Sequence, residues 1–198
     1  MGRILLYRGL YMDLLQEVAT GYAELFDKDY IYTLQNELEV KVYFAPKHFH
    51  HLIGFHKLRD IDVLNKAQNS VTYIFKNIIK GRIKYDDIKK SESFKEIEHR
   101  LMHFRQIKSI IEFEKVIIDF DPSKINTRLN ADYILFKKSN DNKYLNLFLK
   151  RDATNRALHI PNTFIPQKTD YYTYDQKIIN ILSMKELPKI TKRNKNTK

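Results

Sequence analysis

Apolar residues recur every three or four positions from Leu10 to Phe26, through Leu14, Leu15, Val18, Tyr22 and Leu25. That spacing predicts an amphipathic helix over 10–26, ending near Asp27 and Lys28. The period then drops to two. Strands are expected over 30–34 and 39–44, the second alternating Val40, Val42 and Phe44 with Glu39, Lys41 and Tyr43, so that one face is buried and the other wet. Pro46 opens a segment whose only glycine, Gly54, is the expected bend. Helical spacing returns over 63–79 and is closed by Lys80 and Gly81, with the glycine in the C-cap position. Ser93 and Glu96 predict a capping box for a further helix, whose apolar stripe runs Phe94, Ile97, Leu101, Phe104 and Ile111. Strands are expected over 115–120, 132–137, 144–150 and 158–165, punctuated by Asp121-Pro122, the polar run 139–142 and Pro166. A short helix is expected over 174–187.

Helices early and strands mostly late predict an α+β fold, with N-terminal helices packed on one side of a twisted antiparallel sheet. No glycine-rich strand-to-helix turn supports a Rossmann or P-loop architecture. With 198 residues, 43% of them hydrophobic, the chain suits one domain over 1–187, followed by a basic tail over 188–198 not expected to order alone. There is no cysteine, which removes disulfides and thiolate metal sites. No apolar stretch approaches the roughly 20 residues of a membrane span, and no signal-peptide pattern is present, so a cytoplasmic location and no membrane partner are expected.

Charge changes the picture more. Thirty-five Lys and Arg against 24 Asp and Glu give +11. Lys189, Lys192, Arg193, Lys195 and Lys198 account for five of these charges, which leaves +6 on the body. A basic body with 13% aromatic residues suits a polyanion, most simply nucleic acid. No helix-turn-helix signal favours a DNA-binding regulator.

The candidate chemistry is concentrated between Phe44 and Asp60, which hold His48, His50, His51 and His56 of the seven histidines, together with Lys47, Lys57 and Arg59. Imidazoles exchange protons near neutral pH, and neighbouring cations suit a phosphate. A metal site is the first alternative, because His99 and His103 stand at i and i+4. No HExxH is present, however, and those two are expected beside Arg100 on a polar face. No metal or other cofactor is therefore expected. Metal-free RNA cleavage fits better, since it needs a base for the ribose 2′-OH, an acid for the leaving 5′-oxygen and cations for the phosphorane. His51 or His56 can serve as base or acid, Lys57, Arg59 and Arg100 can neutralise charge, and Thr163 or Tyr172 can hold the phosphate.

The run Phe44, Phe49, His50, His51, Leu52, Gly54, Lys57, Leu58, Asp60 resembles the signature of phage-associated nucleases grouped with barnase, EndoU, colicin and RelE-type toxins. The resemblance continues at Gly81, Ile83 and Tyr85, at Ile97, Arg100 and Phe104, and at Pro161, Thr163 and Phe164 followed by Tyr171 and Gln176. It implies a small α+β ribonuclease, independent of metal and leaving 2′,3′-cyclic ends, with RNA lying across the sheet. It carries His51, Lys57, Arg100 and Thr163 onto the family's polar positions, with His56 beside them as a further catalytic candidate. His48, His50, Lys57, Arg59, Lys168 and Tyr172 are the expected RNA-binding residues. The chain is also similar to a staphylococcal phage inhibitor of type III CRISPR immunity. The partners so implied are RNA, such as tRNA or a tRNA fragment, and a host defence complex such as a type III CRISPR effector.

Overall fold

The structure, a computed structural model, describes residues 13–65, 68–112 and 116–189. Asp13 caps the first helix, α1 (Leu14–Ala23), its carboxylate accepting from the Leu15 and Gln16 amides. The same carboxylate accepts from the Tyr85 amide at 3.0 Å, tying α1 to α5 (Tyr85–Lys89). Residues 10–12 of the expected helix lie outside the described residues, and the helix ends four residues before Asp27.

The helix expected over 63–79 is two helices, α3 (Asp62–Asn65) and α4 (Val71–Ile79). Ser70 restarts the chain as an N-cap, its Oγ accepting from the Tyr73 amide at 3.1 Å. Gly81 follows α4 at φ +67°, the left-handed turn expected of it. The next helix, α6 (Lys95–Phe104), buries Ile97, Leu101 and Phe104, but Ile111 belongs to a separate α7 (Ile107–Ile111). Nor does Ser93 provide the expected cap, because the residue preceding α6 is Phe94, without a side-chain cap. Before it, Asp60 accepts from the Ser91 hydroxyl at 2.5 Å and the Glu92 amide at 2.9 Å, the Ser93 amide donates to Ser91 Oγ at 3.2 Å, and the Ser93 side chain hydrogen-bonds the Glu96 carboxylate.

Among the described residues seven strands follow the order β1 (Lys28–Leu34), β2 (Glu39–Tyr43), β6 (His159–Gln167), β5 (Tyr144–Arg151), β4 (Tyr133–Lys138), β3 (Val116–Asp119) and β7 (Lys177–Pro188). Antiparallel pairing of β7 with β1 closes the ring, and among the described residues the only parallel contact is the single pair Val42–His159 between β2 and β6. The fold is thus α+β with a mostly antiparallel sheet. The helix expected over 174–187 is instead β7. Its apolar residues mimic helical spacing, yet Ile178 and Leu182 are exposed, and pairing with β1 on one side and β3 on the other decides the conformation.

The main core lies between helices and sheet. Tyr22 stands at its centre, within 5.1–6.2 Å of the rings of Phe26, Phe44, Phe49, Phe75 and Phe104. A smaller cluster of Ile118, Phe120, Ala131, Ile134 and Phe148 lies apart from it, with Tyr172 packed against it. Strand β5 is buried from Leu145 to Leu149 because both clusters use it.

Lys189, the second residue of the expected tail, is part of the folded body. Its amide donates to the Asp27 carbonyl at 2.9 Å, and its ammonium donates to the carbonyls of Phe44, at 2.8 Å, and Phe26. The rest of the tail, 190–198, lies outside the described residues. Among the described residues no helix is long and apolar enough to cross a membrane.

Candidate active site

Proline at the first position starts α2 (Pro46–Leu52), which buries His48, Phe49 and Leu52 and leaves His51 outward. Gly54, at φ +87°, then reverses the chain into a single 3-10 turn, Phe55–Lys57. The reversal brings the His51 and His56 rings to 4.5 Å between centroids. Glycine is required here twice over. Besides the left-handed φ, a Cβ at this position would lie 2.9 Å from Ile97 Cγ2 and 3.4 Å from Arg100 Nη1. The Arg100 guanidinium therefore lies against the backbone of the bend that carries the two histidines.

Arg100 projects from the buried face of α6 and is only 7% exposed. Its Nη1 donates to Thr163 Oγ1 at 3.5 Å, its Nε has no partner, and it forms no ion pair among the described residues. Burial lowers its pKa, as expected for a cation removed from water. Thr163 sits at a slip in register. Phe148 pairs with Thr163 but Leu149 pairs with Pro161, so Asn162 is an extra residue in β6. Such a bulge re-aims the neighbouring side chain, and Asn162 is itself anchored by donating to the Asn130 carbonyl at 2.9 Å.

The surrounding positive charge acts on both imidazoles. Burial, then Lys150 and Arg100, lower the pKa of His51. Burial, then His51 and Arg100, lower that of His56 to about 4. Both rings are neutral at pH 7, a state in which imidazole accepts a proton.

Of the expected site residues, His51, His56, Arg100 and Thr163 converge. Lys57 stands beside them, but its ammonium is paired with Glu96 at 3.1 Å. Tyr172 packs edge-on against Phe148 at 5.1 Å, near enough that Arg100 acts on its hydroxyl. Lys168 lines a cleft with His99, His103, Lys143, Gln167 and Thr169. His50 packs against Phe55 at 5.7 Å. His48 points inward, 5.5 Å from the Tyr43 ring, with neither nitrogen partnered and its pKa pushed to about 4 by burial and then by Lys47. The Arg59 amide donates to the Lys57 carbonyl at 3.0 Å, but no side-chain hydrogen bond or ion pair among the described residues joins Arg59 to the cluster.

The expectation that His99 and His103 share a polar face with Arg100 is corrected. One residue further along a helix is turned by roughly 100°, so Arg100 enters the core while the two histidines stay on the rim. Sequence reasoning also passed over Lys143, Lys150 and Asn162. The i, i+4 histidine pair was the visible signal for this rim, although no group of three or more His, Asp or Glu side chains among the described residues is placed to hold a metal ion.

No curated protein and no solved structure matches the chain. A family model described as phage-Barnase-EndoU-ColicinE5/D-RelE like nuclease4 (PBECR4) matches residues 14–197, a span that contains α2, α6 and β6 and every residue of the convergent cluster. By that match the chain belongs to the PBECR4 family of barnase–EndoU–colicin–RelE-like nucleases.

Proposed function

We propose that the protein is a metal-independent endoribonuclease acting on structured RNA such as tRNA or a tRNA fragment. The observation that carries this reading is Arg100, a buried guanidinium with no ion-pair partner among the described residues, set against the bend that bears His51 and His56. A buried cation lacking a counter-charge is costly, and a phosphate supplies one. With the scissile phosphate on Arg100 and Thr163, a neutral imidazole takes the 2′-OH proton as the ribose oxygen attacks phosphorus. The P–O5′ bond then breaks to leave a 2′,3′-cyclic phosphate and a 5′-hydroxyl. The phosphate also offsets the field of Arg100, which raises the histidine pKa values and lets the second imidazole carry the proton that O5′ needs. Lys57 adds charge stabilisation once it is drawn from Glu96.

The test is cleavage of end-labelled RNA with analysis of the product ends. Cyclic phosphate ends are expected, EDTA should have no effect, and His51→Ala should lose roughly two to four orders of magnitude in rate. Full activity in His51→Ala, or a strict need for a divalent ion, overturns the assignment.

A second reading keeps the RNA and drops the cleavage: an inhibitor that docks on a host ribonucleoprotein, such as a type III CRISPR effector, with bound RNA as scaffold. The lowered pKa values of both His51 and His56 favour it, because neither ring is a ready acid. Bound RNA recovered intact would support this reading over the first.

A further inference from the structure

The cluster around Arg100 lies midway along β6, and each end of that strand borders a separate cleft. At the start of the strand, Ile160, Pro161 and Asn162 line a cleft of about 290 Å³ together with Lys47, His51 and Lys150. At its end, Pro166 and Gln167 line a cleft of about 370 Å³ with Lys143, Lys168, His99 and His103. Thr163 stands between the two. The four lysines share a property that Lys57 lacks: none of them forms an ion pair among the described residues.

Two carboxylates beside the clefts have other hydrogen-bond partners. Asp152, by the first cleft, accepts from the Tyr43 hydroxyl and from the amide and hydroxyl of Thr154. Asp141, by the second, accepts from the Ser139 hydroxyl and stands 3.7 Å from His103 Nε2. Asp141 still acts on Lys143 through space, but none of the four ammonium groups is held in an ion pair among the described residues, and they stand on either side of the buried guanidinium.

We propose that β6 is a rail for a single-stranded stretch of a structured RNA, a loop or an end, with flanking phosphates held by Lys47 and Lys150 at one end and by Lys143 and Lys168 at the other. This rests on the RNA reading above and adds where the strand lies. From Pro161 to Gln167 the rail measures roughly 20 Å at about 3.3 Å per residue. That length covers about six stacked nucleotides at 3.4 Å each, and fewer in a drawn-out strand. Three cationic stations on one line select a chain of phosphates over an isolated nucleotide. The walls suit bases as well as backbone, because histidine rings are available for stacking: His51 at the first cleft, His99 and His103 at the second.

The experiment is binding of fluorescent oligoribonucleotides of three and eight residues, read by anisotropy across a salt series, to the full chain and two double variants. The variants are Lys47→Glu with Lys150→Glu, and Lys143→Glu with Lys168→Glu. The eight-mer should bind at least tenfold more tightly than the three-mer. Each variant should remove most of that advantage, leave the three-mer within about threefold, and flatten the salt slope by roughly 0.7 for every phosphate that is no longer neutralised. Equal affinity for both lengths, or an eight-mer indifferent to both variants, overturns the rail while leaving a phosphate site at Arg100 standing. Failure of the unaltered chain to bind either oligonucleotide overturns the RNA reading, and the rail with it. Thermal melts of both variants within about 2 °C of the parent show that the substitutions act on binding rather than on folding.

Discussion

Replacing Arg100 with methionine separates the cost of this side chain to the fold from its use. Arg100 is 7% exposed, has one long hydrogen bond of 3.5 Å and leaves Nε without a partner. Apolar replacement of a buried ionic group is commonly neutral or stabilising by about 1–4 kcal/mol. Against this, Thr163 loses its bond to Nη1, which at that length is worth little, about 0.5 kcal/mol. Arg100→Met should therefore raise the stability of the RNA-free protein by about 1–3 kcal/mol. For a chain of this size that is a rise in Tm of roughly 3–10 °C. RNA binding should move the other way, weakening by about thirtyfold or more, since losing one partner of a buried charged pair costs about 2 kcal/mol or more. The assay is thermal unfolding of parent and variant, each with and without RNA. At RNA a hundredfold above the parent's Kd, the parent should gain about 2.7 kcal/mol and the variant much less. If Arg100→Met melts below the parent without RNA, Arg100 holds the fold together and its charge is not the burden inferred above. Unchanged RNA affinity in the variant would refute the reasoning equally.

Gly54→Ala should cost about 2–4 kcal/mol in urea unfolding, the sum of a left-handed backbone and the 2.9 Å approach to Ile97 Cγ2; a change below about 0.5 kcal/mol would mean that the bend yields freely. His48 and His56 have pKa values near 4 when folded and near 6.5 when unfolded, so the unfolded chain binds more protons between those limits. Stability should be full above pH 6.5 and fall as the pH drops toward 4, and His48→Phe should flatten that decline in melts taken from about pH 7 to 4.5. Lys189→Ala should destabilise by about 1–3 kcal/mol, because the carbonyls of Phe26 and Phe44 lose a charged donor, whereas an inert tail would show no change in the denaturant midpoint.

Much of the fold was legible because burial writes local periods. Val40, Val42 and Phe44 alternate as a half-buried strand must, and Phe94, Ile97, Leu101 and Phe104 mark one helix face. Reading failed where distant partners decide. Nothing local in Ile178, Ile179 and Leu182 announces that β1 and β3 flank them. The candidate site divides in the same way. His51 and His56 were visible as types in a crowded segment, and Gly54 as the bend between them. That Arg100 turns inward follows from helix phase once Ile97 and Leu101 are taken as core. The Asn162 bulge and the pairing of Lys57 with Glu96 belong to tertiary geometry and leave no mark in the spacing.

The closing pair of strands carries a kinetic consequence. Tyr32 in β1 pairs with Met184 in β7, roughly 150 residues further along the chain. Joining such distant points costs about 4–5 kcal/mol in loop entropy before any contact returns it. It also places the fold among topologies that form slowly. At about 5–20 residues per second, a ribosome that has just made β1 takes a further 7–30 s to deliver its partner. Through that interval β1, and β3 once it has been made, expose edges that β7 will later cover, and the ring stays open. A member of a nuclease family built this way completes its ring only at the end of synthesis, so the sheet that carries Thr163 keeps an open seam until the last strand is in place.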